Sequence, residues 1–199
     1  MTQQTIRLTA ALFLMLPGAA SAHLVTTGLG PFYDGISHLL LSPDDLVPVF
    51  ALALLAGVNG PVAGRGVLFA LTAAWLGGGL LGAYVGWPLL PSAALSASFL
   101  VIGLLIAWGR SLSLAAMSAL AIAVGLTHGW LNGVGIAESR RDLLALAGMV
   151  STEFVIAAIV AGIALAFTSG SARIAVRVAG SWIAAIGILM LGWNLRASG

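Results

Sequence analysis

The sequence predicts an all-α, polytopic membrane protein, a helix bundle of six transmembrane helices after a cleaved signal peptide. Composition points there first. Hydrophobic residues make up 60% of the 199 and charged ones only 7%, against about 25% charged in a soluble domain. Mean hydropathy is +1.11. The apolar residues also gather into runs of nearly the length that crosses about 30 Å of hydrocarbon.

Residues 1–22 read as a secretory signal peptide. Arg7 precedes an apolar run from Leu8 to Leu16, then Pro17-Gly18, then Ala20-Ser21-Ala22. Those are the basic region, short apolar core and small-residue cleavage site of an exported chain. An uncleaved first helix is the other reading, but the run is short for a span. Cleavage after Ala22 leaves residues 23–199 as a single integral-membrane helical domain that begins at His23. The α-amine and imidazole of His23 can then chelate one metal ion between them.

Six apolar segments follow, near Asp45–Val58, Gly66–Val85, Ala93–Trp108, Leu112–Gly129, Leu143–Phe167 and Ile174–Trp193. The first is short, so Tyr33–Leu41 is a candidate to dip into the membrane before Pro43 breaks it. Links are brief, the longest being Leu131–Asp142. Gly78, Gly82 and Gly86 recur every fourth residue, as do Gly129 and Gly133. Such spacing lets helix backbones approach closely where lipid supplies no hydrophobic drive. On helix count alone, an inverted repeat of three plus three helices is open.

Export places residue 23 outside, and six crossings return the C-terminus to that side. Arg65, Arg110, Arg173 and Arg177 then fall inside, and Arg140, Arg141 and Arg196 outside, a slight excess in the sense of the positive-inside rule. The chain has no Lys and no basic run, which argues against nucleic acid as a partner. With no Cys, disulfides, thiolate ligands and cysteine nucleophiles are excluded together.

The polar chemistry collects at the outer side. Asp34, Asp44, Asp45, Glu138 and Asp142 gather there with His38 and His128, while Glu153 lies within a span. Carboxylates and imidazoles are costly near hydrocarbon, so such a cluster is a functional candidate by default. Together they offer the hard oxygen and borderline nitrogen donors that divalent metals take. A plainer reading exists for Ser42-Pro43-Asp44-Asp45, which has the form of a helix N-terminus with a capping serine and acids in the first turn. It leaves His38 and His128 unexplained. His128 and Asn132 are four apart and share a face if the helix runs that far. His128 alone would read as a histidine hydrogen-bonded between helices. Glu153 suits a proton carrier, a relay ligand or a carboxyl kept neutral in low dielectric.

Phe32-x-x-Gly35-x-x-His38, followed by Asp44 and Asp45, and His128-Gly129-Trp130-Leu131-Asn132-Gly133-Val134-Gly135 carry a resemblance. The chain resembles the HupE/UreJ family of bacterial inner-membrane nickel and cobalt permeases. That family's first-helix pattern runs roughly Gly-Phe-x-x-Gly-x-x-His-Pro-x-x-Gly-x-Asp-His, and a later one His-Gly-x-Ala-His-Gly-x-Glu. Here Asp45 stands at the second His, Leu39 at the Pro, Asn132 at a further His and Gly135 at the Glu, with Pro43 inside the Gly-x-Asp portion. Fewer imidazoles shift such a site toward harder ions or weaken it. The resemblance implies a multi-pass inner-membrane protein with its mature N-terminus in the periplasm, handling a divalent transition-metal ion as cargo or ligand.

The expected metal set is His23, His38, Asp44, Asp45 and His128. Asp34, Asn132, Glu138 and Glu153 are expected as relay or supporting groups. Transport or channelling of the ion is the first functional reading, with the metal ion and the lipid bilayer as partners. A metal-binding accessory subunit of a periplasmic metalloprotein is the second, and the glycine faces would equally serve a homo-oligomer. An intramembrane metalloenzyme is the third, although HExxH and GxSxG motifs are both lacking.

Overall fold

The computed structural model describes residues 26–197 except 90, 92 and 141. The signal-peptide segment and His23 lie outside the described residues. All regular structure within them is helical: α1 (Pro31–Leu41), α2 (Pro43–Val58), α3 (Pro61–Val85), α4 (Ala93–Trp108), α5 (Leu114–Glu138), α6 (Leu144–Ala164) and α7 (Gly170–Ala197).

Proline sets three of the starts. Pro31, Pro43 and Pro61 each open a helix, where the missing N–H is no loss and the fixed φ suits the first turn. Pro43 also acts backward. It drives Ser42 out of the helical region to φ −101°, ψ 95°, since a residue before proline clashes there. The chain therefore bends by 73° between α1 and α2.

α2 is the inner helix of the bundle and touches every other one. Ala51 to Gly57 are all buried, as expected of a helix apolar on every side. The outer helices pair by close backbone contact. Gly78 and Gly82 of α3 leave room for the backbone of Leu126 and Trp130, and Gly125, Gly129 and Gly133 of α5 face the carbonyls of Leu71, Trp75 and Gly79. α4 and α7 interlock through Gly103, Gly180 and Gly187. α1 crosses the start of α6, with Gly35 against the Ala145 carbonyl and Gly148 against that of Phe32. Gly86 has another role from the one its spacing predicts: at φ 65° it caps α3, its N–H donating to the Gly82 carbonyl.

Two expectations change. The fourth predicted segment was to end at Gly129, but α5 continues to Glu138. Gly129 and Gly133 serve packing there, since a side chain at either would meet the α3 backbone. The expected six spans are met in part among the described residues. Four helices, α3, α5, α6 and α7, are long and apolar enough to cross, and the bent pair α1 and α2 counts as a fifth if it is one span. α4, at 16 residues, rises only about 24 Å against about 30 Å of hydrocarbon.

A candidate His–Asp site at one end of the bundle

The break at Ser42 places Asp45 in the first turn of the central helix, facing the C-terminal half of α5. Ser42 makes no side-chain cap bond, and the Asp45 carboxylate does not turn back to the helix end. Its Oδ1 lies 2.8 Å from Nδ1 of His128. Its Oδ2 accepts from the Asn132 amide at 2.9 Å and stands 3.6 Å from Nε2 of His38. The capping reading of Asp45 is therefore replaced by a buried polar network. Asp45 is 5% exposed and His128 0%.

Hydrogen-bond accounting fixes most of the protons. The Asn132 amide nitrogen faces two acceptors, Asp45 Oδ2 and the His128 carbonyl at 3.0 Å, so both its hydrogens are spoken for. Its Oδ1 is then left to accept from Nε2–H of His38 at 2.9 Å. The Ser98 hydroxyl, on α4, donates to the Leu95 carbonyl at 2.6 Å. It therefore accepts from Nε2–H of His128, 3.0 Å away. With Nε2 a donor, Nδ1 of His128 and Oδ1 of Asp45 hold one further proton between them. Trp75 stacks on the His128 ring, centroids 5.4 Å apart and planes 30° apart.

His38, Asp45 and Asn132 line a cavity of about 300 Å³ together with Asp44 and Glu138. Asp44, one residue before Asp45, turns by about 100° of helix and reaches this cavity without joining the inner network. The extension of α5 past Gly129 is what brings Glu138 to it. The structure thus brings together His38, Asp44, Asp45, His128, Asn132 and Glu138. Among the described residues, no group of three or more His, Asp or Glu side chains is set to hold a metal ion.

Two expected residues lie apart from this cluster. Asp34, near the start of α1, accepts from the backbone N–H and hydroxyl of Thr27 at 2.6 and 2.7 Å. Glu153, on α6, is 0% exposed. Its Oε2 lies 2.8 Å from the hydroxyl of Thr72 on α3, and its Oε1 has no hydrogen-bond partner. Sequence reasoning missed Ser98, Trp75 and Thr72. The signal that could have found Ser98 and Thr72 is a hydroxyl within an otherwise apolar predicted span.

A family model, HupE / UreJ protein, matches residues 11–190. The chain belongs to the HupE/UreJ family. That family is related to nickel and cobalt transport and is one of transporters and accessory proteins, not of enzymes. No curated protein and no solved structure gives a match. Within the HupE/UreJ frame, the His-Gly-x-x-Asn stretch of α5 is the part that meets the first-helix residues: His128 and Asn132 both bond Asp45.

Proposed function

We propose that this protein takes up a divalent transition-metal ion, nickel or cobalt by its family, through the His/Asp site at the outward end of the bundle. The observation that carries the reading is Asp45. It bonds His128 and approaches His38 inside, and it lines the same cavity as Asp44 and Glu138.

An ion entering the cavity meets carboxylate oxygens from Asp44, Asp45 and Glu138 and an imidazole from His38. Such a set replaces part of its hydration shell and part of its charge balance. The carboxylate count offsets the imidazoles that the family pattern has and this chain lacks, and it favours harder cargo. An ion on Asp45 Oδ2 would draw charge from the carboxylate whose Oδ1 shares a proton with His128, so cargo and proton are coupled through one carboxylate. His23 and Asp34 would collect the ion ahead of the cavity. Glu153, about 14 Å along α6 from its first residue, would receive ion or proton further in. The membrane is the bacterial inner membrane and the mature N-terminus is periplasmic in this reading.

Flux into proteoliposomes tests it, screening nickel, cobalt, zinc, copper, manganese and iron. Selective flux that the Asp44→Asn/Asp45→Asn pair abolishes is the expected result. No flux of any ion through a folded, correctly oriented protein would overturn it and favour the accessory-subunit reading.

A further inference from the structure

The opposite end of the central helix holds a second cavity of different chemistry. It occupies about 320 Å³ where the ends of α2 and α4 meet the start of α7, and Arg110, Arg173 and Arg177 line it with Asn59 and Ser111. None of its lining residues is acidic. Asp45, in the first turn of α2, and Asn59, which caps its C-terminus, stand 14 residues apart, about 21 Å of helix, so the acidic site lies at the far end. Arg173 and Arg177 are four apart on α7, where like charges repel across one turn. Arg177 donates from Nε to the Ala107 carbonyl at 3.0 Å, and Arg110 stands 5.7 Å from the Trp108 ring. Those contacts hold two of the guanidiniums in place without neutralising them.

A second, apolar groove of about 350 Å³ adjoins this cavity at Val176, which lines both. Phe50 and Leu54 of α2, Ile163 of α6 and Ala175 of α7 form its walls. Phe50 and Ile163 are half exposed, at 48% and 56%, on the perimeter of a bundle whose surroundings are hydrocarbon. A cluster of uncompensated cations at the level where helices start and stop, beside an apolar trough, matches a molecule with an anionic head and a hydrocarbon tail. Basic pockets between membrane helices hold anionic headgroups by this arrangement, and guanidinium forks suit phosphate oxygens.

We infer that the cavity and groove bind an anionic phospholipid, its phosphate among Arg110, Arg173 and Arg177 and one acyl chain along the groove. The apolar wall selects a lipid over a free phosphate ion. The site is separate from the His/Asp site and does not depend on what that site carries.

The test is native mass spectrometry of the full-length protein in mild detergent. Phosphatidylglycerol, phosphatidylcholine of the same acyl chains, and inorganic phosphate serve as probes. Phosphatidylglycerol is retained in preference to phosphatidylcholine. Arg173→Gln weakens that retention about fivefold, the effect of one surface cation. Ala175→Trp, which fills the groove and leaves every charge, weakens it as well. Both positions are exposed on α7, and unchanged melting temperatures in detergent confirm that the variants are folded. Should Arg173→Gln prove unstable, Arg110→Gln, in the link after α4, takes its place. Equal retention of the two lipids overturns the inference. So does displacement of phosphatidylglycerol by inorganic phosphate with no effect of Ala175→Trp, which would mark a site for the free anion.

Discussion

Oδ1 of Asp45 and Nδ1 of His128 stand 2.8 Å apart in a buried part of the bundle. The contact joins the start of the central helix to α5 across 83 residues of chain. Removing one partner leaves the other buried without its bond, which costs about 1–3 kcal/mol. Asp45→Ala therefore lowers stability by about that much, while Asp44→Ala, at a partly exposed position outside the network, changes it by less than about 0.5 kcal/mol. Thermal unfolding of the two variants in detergent checks the difference.

Ser98 holds the other nitrogen of the same ring. Ser98→Ala leaves Nε2–H of His128 without an acceptor in a dry site, again a loss of about 1–3 kcal/mol. Ser98→Thr keeps the hydroxyl and retains most of the stability. Equal melting temperatures for Ser98→Ala and the parent would show that Ser98 does not position the ring.

Glu153 is kept at a cost to the fold. One oxygen has a hydroxyl partner and the other none, and an apolar side chain of similar length removes that unsatisfied group. Glu153→Met is expected to leave the melting temperature unchanged or raise it while lowering metal flux. A variant that melts lower than the parent would show that Glu153 supports the fold.

The helix glycines divide by what they face. Gly129→Ala sets a methyl group against the Trp75 backbone and forces α3 and α5 apart, at about 1–3 kcal/mol. Gly162→Ala on α6 meets nothing within 4 Å and changes stability by less than about 1 kcal/mol. Because Trp75 stacks on His128, Gly129→Ala also disturbs the His/Asp network, and flux in that variant falls with its stability.

Some of this was legible before any coordinates. The apolar runs mark the helices because hydrocarbon tolerates little else, and Pro43 marks the bend because proline excludes helical geometry from the residue before it. Helix ends were less legible. Gly129 and Gly133 have the composition of a stop, yet α5 passes through both, since glycine in a membrane helix as often marks contact as an end.

By itself the sequence determined that the protein is a helical membrane protein of the HupE/UreJ type and that its ionisable groups are few and grouped. Local patterns suffice for that, because burial in lipid acts on each segment separately. Which of those groups meet was decided only by the tertiary structure. Packing of the central helix against α5 chose Asp45 over Asp44 as the partner of His128, brought in Ser98 from α4 and left Glu153 apart on α6. A choice between adjacent carboxylates depends on about 100° of helix rotation. The packing of α2 against all of its neighbours sets that rotation, and it joins residues too far apart in the chain for any local pattern to record.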